Sequence, residues 1–176
     1  KAADQGGARA QYNLGDTYEY GKGISKDLVK ALEFYQKAAN QGYANAQNKL
    51  GFMYESGESV EKDLVKAVEF YQKAADQGEA RAQSNLGDMY EYGKGVSKDL
   101  VKAVELYQKA ADQGYVNAQC DLGVMYQYGQ GVTKDLVKAV EFYQKAVDQG
   151  DVRAQTNLGV MYQYGQGVSK DLVKAV

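Results

Sequence analysis

A fixed internal repeat limits what this chain can fold into. Gly6, Gly42, Gly78, Gly114 and Gly150 stand 36 residues apart, and the same shift links Leu14, Leu50, Leu86, Leu122 and Leu158. At 176 residues the chain holds just under five units, so it is expected to be an array in which each unit packs on its neighbours, not one closed domain. The units read as 7–42, 43–78, 79–114, 115–150 and a partial 151–176, with 1–6 matching 37–42 as the tail of a preceding unit. Residues 169–176 match only the start of a second helix, so both ends are expected to fall inside helices of a longer array, without polar capping helices.

Each unit carries two apolar stripes at helical spacing. Between Ala8 and Tyr20, the residues Ala10, Leu14, Thr17 and Tyr18 share one face of a first helix. The Gly21-Lys22-Gly23 stretch fits a left-handed cap and a short loop. Asp27 recurs as Asp63, Asp99, Asp135 and Asp171 directly before the second stripe, where a carboxylate can satisfy free helix N–H groups. The second helix then runs to about Gln41 with Leu28, Ala31, Leu32, Tyr35 and Ala38 inward, and Gly42 ends it. No proline interrupts either helix. Gly15, Gly51, Gly87, Gly123 and Gly159 fall inside the first helices, where glycine costs ~1 kcal/mol against alanine. That repeated cost implies a close crossing of the two helices there, with Gln83, one turn before Gly87, in a less crowded place. Met53, Met89, Met125 and Met161, with Thr17 as fifth member, read as inter-helix core.

The chain has no His and a single Cys, which removes His-dependent nucleophiles, imidazole metal ligands, internal disulfides and thiolate zinc cages. Catalysis would rest on carboxylate, Lys or Tyr groups, and pairs such as Asp16 and Glu19 have no closed apolar pocket to raise one pKa. Gly21-x-Gly23 follows no strand and precedes no Gly-Lys-Ser/Thr, which argues against a phosphate loop. Lys and Arg number 21 against 23 Asp and Glu, and the net charge of −2 gives no general attraction to nucleic acid or anionic membrane. No run approaches the ~20 apolar residues of a membrane span. No enzyme activity, cofactor, metal, nucleic acid or membrane insertion is therefore expected of this segment.

The unit Ala-Gln-x-x-Leu-Gly-x-x-Tyr-x-x-Gly-x-Gly-Val, followed by Asp-Leu-Val-Lys-Ala and Tyr-Gln-Lys-Ala-Ala-Asp-Gln-Gly, resembles the Sel1-like repeat, a relative of the tetratricopeptide repeat, over essentially the whole chain. The resemblance implies an all-α fold, a right-handed α-solenoid of about five helix-turn-helix repeats, acting as a scaffold or adaptor for other proteins. Two departures stand out. The second-helix position often held by Trp in the family is Phe34, Phe70, Leu106 and Phe142, and the paired cysteines of the secreted branch are absent.

Scaffold positions repeat, so recognition is sought where the units differ. By analogy with tetratricopeptide arrays, the first helices line a concave face around the Leu-Gly-x-x-Tyr frame. The copies diverge at Tyr12, Asn48, Ser84, Cys120 and Thr156, at Asn13, Lys49, Asn85, Asp121 and Asn157, and at Asp16, Phe52, Asp88, Val124 and Val160. Asp16, Glu19, Glu55, Asp88 and Glu91 make the first three units acidic, whereas the last two carry Val124, Gln127, Val160 and Gln163. Arg9, Arg81 and Arg153 are placed to take up part of the acidic charge. Tyr20, Tyr92, Tyr128 and Tyr164, broken by Ser56, form a row that either meets a ligand or packs on the next loop. Cys120 is expected to be an accessible but passive thiol.

The expected partner-binding residues are Tyr12, Asp16, Glu19, Tyr20, Lys49, Phe52, Glu55, Asp88, Glu91, Tyr92, Asp121, Val124, Tyr128, Val160 and Tyr164. Their partner is expected to be a protein or peptide with a basic and an apolar segment. The alternative is a structural element that stacks head to tail through exposed repeat ends.

Overall fold

The computed structural model describes the backbone of residues 2–175 and the side chains of residues 7–175. Among the described residues every regular element is an α-helix: α1 (Ala2–Tyr20), α2 (Leu28–Asn40), α3 (Ala44–Ser56), α4 (Leu64–Ala75), α5 (Ala80–Tyr92), α6 (Leu100–Asp112), α7 (Val116–Tyr128), α8 (Leu136–Val147) and α9 (Val152–Tyr164). Odd-numbered helices are the first helices of the repeats and even-numbered ones the second. Contacts group them into two compact units, Lys1–Ala82 with Lys94–Val96, and Gln83–Gly93 with Ser97–Val176.

Helix starts follow the recurring aspartate. Asp27, Asp63, Asp99 and Asp135 each accept the backbone N–H three residues on, at 3.0 Å. The same bonds hold the carboxyls of Asp27 and Asp63 below the usual carboxylate range. Second helices end at Gly42, Gly78, Gly114 and Gly150, with φ between +82° and +86°. At the equivalent Gly6 the chain behaves differently: α1 continues from Ala2 through Gly6 and Gly7, where the sequence places the end of a preceding helix. After α9 the chain makes turns over residues 172–175, where the other repeats begin a second helix. Lys1 and Val176, which the sequence also assigns to helix segments, lie outside the described residues.

The helix crossing falls at the expected glycines. A Cβ on Gly15 would meet the Tyr35 ring at 2.5 Å, one on Gly51 the Tyr71 ring at 2.5 Å and one on Gly87 the Tyr107 ring at 2.6 Å, and one on Gly123 would run into the Tyr143 ring. The second-helix tyrosine thus lies against bare backbone, and all four rings are fully buried. In the first unit this core is completed by Ala31, Ala38, Ala46, Leu50 and Met53. In the second it includes Ala139, Ala146, Ala154, Leu158 and Met161. The methionine row is core, as expected. Leu14, by contrast, is 45% exposed where Leu50, Leu86 and Leu122 are fully buried.

Gln83 does not occupy the open place expected for it. It is buried, and its Oε1 accepts from Gln113 Nε2 at 2.8 Å. Gln47 and Gln119 likewise accept from Gln77 and Gln149, at 2.6 and 2.8 Å. Gln47 also donates to the Ala39 carbonyl at 3.2 Å, at the C-terminal end of the preceding second helix, where carbonyls lack helical donors. Each glutamine pair thus ties the start of a first helix to the end of the second helix in its own repeat, while the Gln47–Ala39 bond reaches the preceding repeat, and apolar periodicity cannot report either contact. On the second helices, Phe34, Phe70 and Phe142 stack on Tyr18, Tyr54 and Tyr126 at 5.6 Å, while Leu106 is buried in the third repeat.

Candidate functional site

Residues three apart on a first helix share a face, and in each of the first four repeats one or both members of such a pair receive the hydroxyl of the buried second-helix tyrosine. In the first unit Tyr35 Oη faces Asp16 Oδ1 at 2.7 Å and Glu19 Oε2 at 2.5 Å. Tyr71 donates to Glu55 at 2.9 Å, because Phe52 stands where Asp16 does one repeat earlier. In the second unit Tyr107 Oη faces Asp88 Oδ1 at 2.6 Å and Glu91 Oε2 at 2.7 Å. Tyr143 donates to the buried Gln127 at 2.6 Å, beside Val124. Burial first, and then the neighbouring carboxylates, push the hydroxyls of Tyr35 and Tyr107 above the usual phenol range.

The expected ligand-binding acids therefore also serve the interior, because they satisfy the hydroxyls of buried tyrosines. The sequence carried a sign of it, since the later member of the pair is Glu19, Glu55, Glu91, Gln127 or Gln163, always an acceptor. Lysines in the first unit neutralise part of this charge. Lys49 Nζ meets Glu19 Oε1 at 2.6 Å, with the two side chains only 18% and 12% exposed. Its ammonium also lies within 6 Å of three rings, those of Tyr20, Tyr35 and Phe52. Lys94 meets Glu55 at 3.2 Å. In the second unit Arg153 meets Asp121 at 3.4 Å and Asp151 at 3.5 Å. Asp121 is pushed up to about 7 by burial, with Asp88, Glu91 and Asp151 adding to the rise and Arg153 opposing it.

One set of expected groove positions is not open. Cys120 is 2% exposed, and Asn48 and Ser84 are buried as well. Cys120 packs among Ala139, Tyr143, Ala154 and Leu158, so this helix position faces the seam with the next repeat instead of solvent. Burial pushes its thiol up to about 12. Tyr12, at the same position, packs between Tyr35 and Tyr43 with ring centroids 5.4 Å away. Thr156 on α9 is exposed.

The other expected residues are outward or half-buried. Tyr20, Tyr92, Tyr128 and Tyr164 are 62–65% exposed, and Phe52 and Val160 are exposed too. Asp16, Glu19, Lys49, Glu55, Asp88, Glu91, Asp121 and Val124 are half-buried. Phe52 and Glu55 help line a depression of about 310 Å³ with Ser56, Lys62, Leu64 and Lys94. A second apolar row escapes a search for variation because it never varies: Val29, Val65, Val101 and Val137, at the start of the second helices, are all exposed. Among the described residues, no group of three or more Cys, Asp or Glu side chains is arranged to hold a metal ion, and no helix is long and apolar enough to cross a membrane.

Several solved structures are similar to this chain. The protective antigen c5321, present in uropathogenic Escherichia coli strains and displaying an SLR fold, shares 40% identity with a TM-score of 0.91, over 99% of this chain and 37% of its own. A Sel1 repeat protein from Oxalobacter formigenes shares 38% identity with a TM-score of 0.88, over 96% of this chain and 69% of its own. Immunity protein Pa5087 from Pseudomonas aeruginosa shares 30% identity with a TM-score of 0.61, over 88% of this chain and 57% of its own. The chain thus spans little more than a third of the length of c5321. No curated protein matches it significantly. The Sel1 repeat matches five times in succession, at residues 8–43, 44–79, 80–115, 116–151 and 152–176, one residue beyond the division read from the period. With all five repeats matched and an all-α repeat fold, the chain belongs to the Sel1 repeat family, whose members generally serve as protein-interaction scaffolds.

Proposed function

We propose that this chain is a non-catalytic scaffold that binds a protein or peptide through the outward side of its first helices. The observation that supports this most is the tyrosine row. Tyr92 and Tyr128 are 62% and 65% exposed on helices whose Met89 and Met125 are almost wholly buried. A large ring held in solvent at a fixed repeat position adds nothing to the core, whereas it offers a partner rigid amphipathic area. Each unit presents such a surface. The first offers Tyr20 and Phe52 beside Asp16, Glu19, Lys49 and Glu55. The second offers Tyr92, Tyr128 and Tyr164 with Val124 and Val160 beside Asp88, Glu91 and Asp121. Asp16, Glu19, Glu55, Asp88 and Glu91 are held by tyrosine hydroxyls, so little of their side-chain entropy remains to be lost on binding.

Selection of peptides from a random display library against the immobilised chain tests this reading. The binders should carry basic and apolar residues, and Val124→Ser with Val160→Ser should raise their off-rate with little salt dependence. Selection that yields no saturable binder would overturn it. The alternative reading is a structural element in which copies stack head to tail through repeat ends. Stacking requires the sedimentation coefficient to grow with concentration, whereas a binding module keeps one value.

A further inference from the structure

We propose that the open depression beside Ser56 is an anchor pocket that takes one aromatic side chain, tyrosine or phenylalanine, of the bound protein. The proposal rests on the scaffold reading above and names the partner residue that fills one place in its surface. The second repeat departs from the other four around a single loop. Where they carry a tyrosine, a Lys or Gln, a glycine and a Ser or Thr, it carries Ser56, Glu58, Ser59 and Glu61. Phe52, one turn before Ser56, stands where they carry Asp or Val. Ser59 is held at φ +69° in a place that glycine fills in the other repeats, and strain of this kind clusters where a protein grips a ligand.

These departures border a hollow that lies wholly within the first compact unit, formed by the end of α3, the start of α4 and the loop after α5. Three of its polar side chains are already engaged with the protein. Glu55 accepts from the Tyr71 hydroxyl at 2.9 Å and from the Lys94 ammonium at 3.2 Å. Ser56 Oγ donates to the Met53 carbonyl at 3.3 Å and accepts the Glu58 N–H at 3.2 Å. What is left to meet an occupant is the exposed Phe52 ring, the Leu64 side chain and the aliphatic stems of Lys62 and Lys94. An apolar lining edged by ammonium groups suits an uncharged aromatic ring. A cavity of ~150 Å³ already holds a benzene ring, so about 310 Å³ admits one aromatic side chain.

The first repeat supplies such a ring from the chain itself. Tyr20 is the counterpart of Ser56, and its ring centre lies 5.4 Å from Lys22 Nζ and 5.9 Å from Lys49 Nζ, the ammonium that sits on Glu19. In the second repeat Glu55 is the counterpart of Glu19 and holds Lys94, but Ser56 brings no ring. A ring from the partner completes the set.

The test uses Nα-acetyl-tyrosinamide as probe and Nα-acetyl-leucinamide as a non-aromatic control, with backbone amide shifts of the full chain followed during titration. The tyrosine probe should move the resonances of Phe52, Ser56, Lys62 and Leu64 saturably, and the leucine probe should bind about fivefold more weakly, the ratio that ~1 kcal/mol of ring contact gives. Ser56→Tyr should abolish binding by supplying the ring that the other repeats carry. Ser56→Ala removes the hydroxyl without filling the space and should bind like the parent. Phe52→Val, which installs the residue of the fourth and fifth repeats, should weaken the tyrosine probe about fivefold, and it decides the matter if Ser56→Tyr fails to fold. No saturable response, equal affinity for both probes, or unchanged tyrosine affinity in Ser56→Tyr or Phe52→Val overturns the pocket, as does loss of binding in Ser56→Ala. If display-selected peptides bind Ser56→Tyr as tightly as the parent, the pocket fails while the scaffold reading stands. If no peptide binds the parent, the scaffold reading fails, and the amide probe still decides the pocket.

Discussion

Replacing Gly87 by alanine opposes two effects whose sizes follow from the structure. Alanine in mid-helix is favoured by ~1 kcal/mol over glycine. Against that, the new methyl would lie 2.6 Å from Tyr107 Cε1 and 2.8 Å from Cδ1, where an ordinary carbon contact needs about 3.5 Å or more. Tyr107 has no room to retreat. It is fully buried, and its hydroxyl is tied to Asp88 at 2.6 Å and Glu91 at 2.7 Å. Overpacking costs about 1–3 kcal/mol, and a ring pinned at both ends belongs at the upper end. The net loss should be about 1–2 kcal/mol, or roughly 3–6 °C in Tm for a chain of this size. Gly159 is the built-in control. Its lattice position is the same, but its added Cβ meets only the Ala175 carbonyl oxygen, at 3.1 Å, and no ring. Gly159→Ala should thus be neutral or stabilising by up to ~1 kcal/mol. Thermal melts give the totals, and hydrogen exchange in α5 and α6 against α9 shows where each change is felt, since repeat arrays lose structure locally. If Gly87→Ala is as stable as the parent, or both variants lose alike, the ring-on-glycine crossing does not limit stability and the packing argument fails.

The pH dependence of Asp121 has a definite sign. Its native pKa of about 7 lies above an unfolded value of ~3.9, so the native state binds the extra proton and stability falls as pH rises between the two. Asp121→Asn should therefore be more stable than the parent at pH 8, by at most about 4 kcal/mol, and no more stable at pH 4; the reverse order in chemical denaturation would contradict the burial argument. Ser59 stands at φ +69° where Gly23, Gly95, Gly131 and Gly167 occupy the same loop position, so Ser59→Gly should stabilise by about 1 kcal/mol; a lower Tm would refute the strain. Gln83→Leu removes the buried acceptor of Gln113 within the third repeat and should destabilise by about 1–2 kcal/mol, whereas the exposed Gln155, at the same position of α9, should tolerate the same change; equal effects would contradict the buried contact.

Much of the fold was legible because a repeat multiplies weak signals. One mid-helix glycine means little, but Gly15, Gly51, Gly87 and Gly123 at one lattice position named the crossing, and the structure puts a tyrosine ring on each of them. Asp27 and its copies likewise announced the second-helix starts. The paired glutamines were not legible, because their partners lie 30 residues away, just past the end of the second helix, and hydrophobic patterning passes over polar contacts. The same blindness misplaced Cys120, Asn48 and Ser84: variation was read as exposure, although a seam between similar repeats can hold different small or polar side chains. The tyrosine row is different. Sequence left it between packing and recognition, and Tyr20, Tyr92, Tyr128 and Tyr164 stand exposed as the last residues of their helices.

The central claim, that the first helices carry the binding surface, is tested most directly by comparing two double variants against one display-selected peptide. Tyr92→Ala with Tyr128→Ala strips exposed rings from first helices, and Val101→Ser with Val137→Ser strips equally exposed residues from second helices of the same unit. Fluorescence polarisation should show the tyrosine pair weakening the peptide at least tenfold, as losing rigid aromatic anchors of ~1.4 kcal/mol or more implies, with the valine pair binding like the parent. The opposite order, with affinity lost in the valine pair and kept in the tyrosine pair, would move the interaction surface to the second helices and contradict the account.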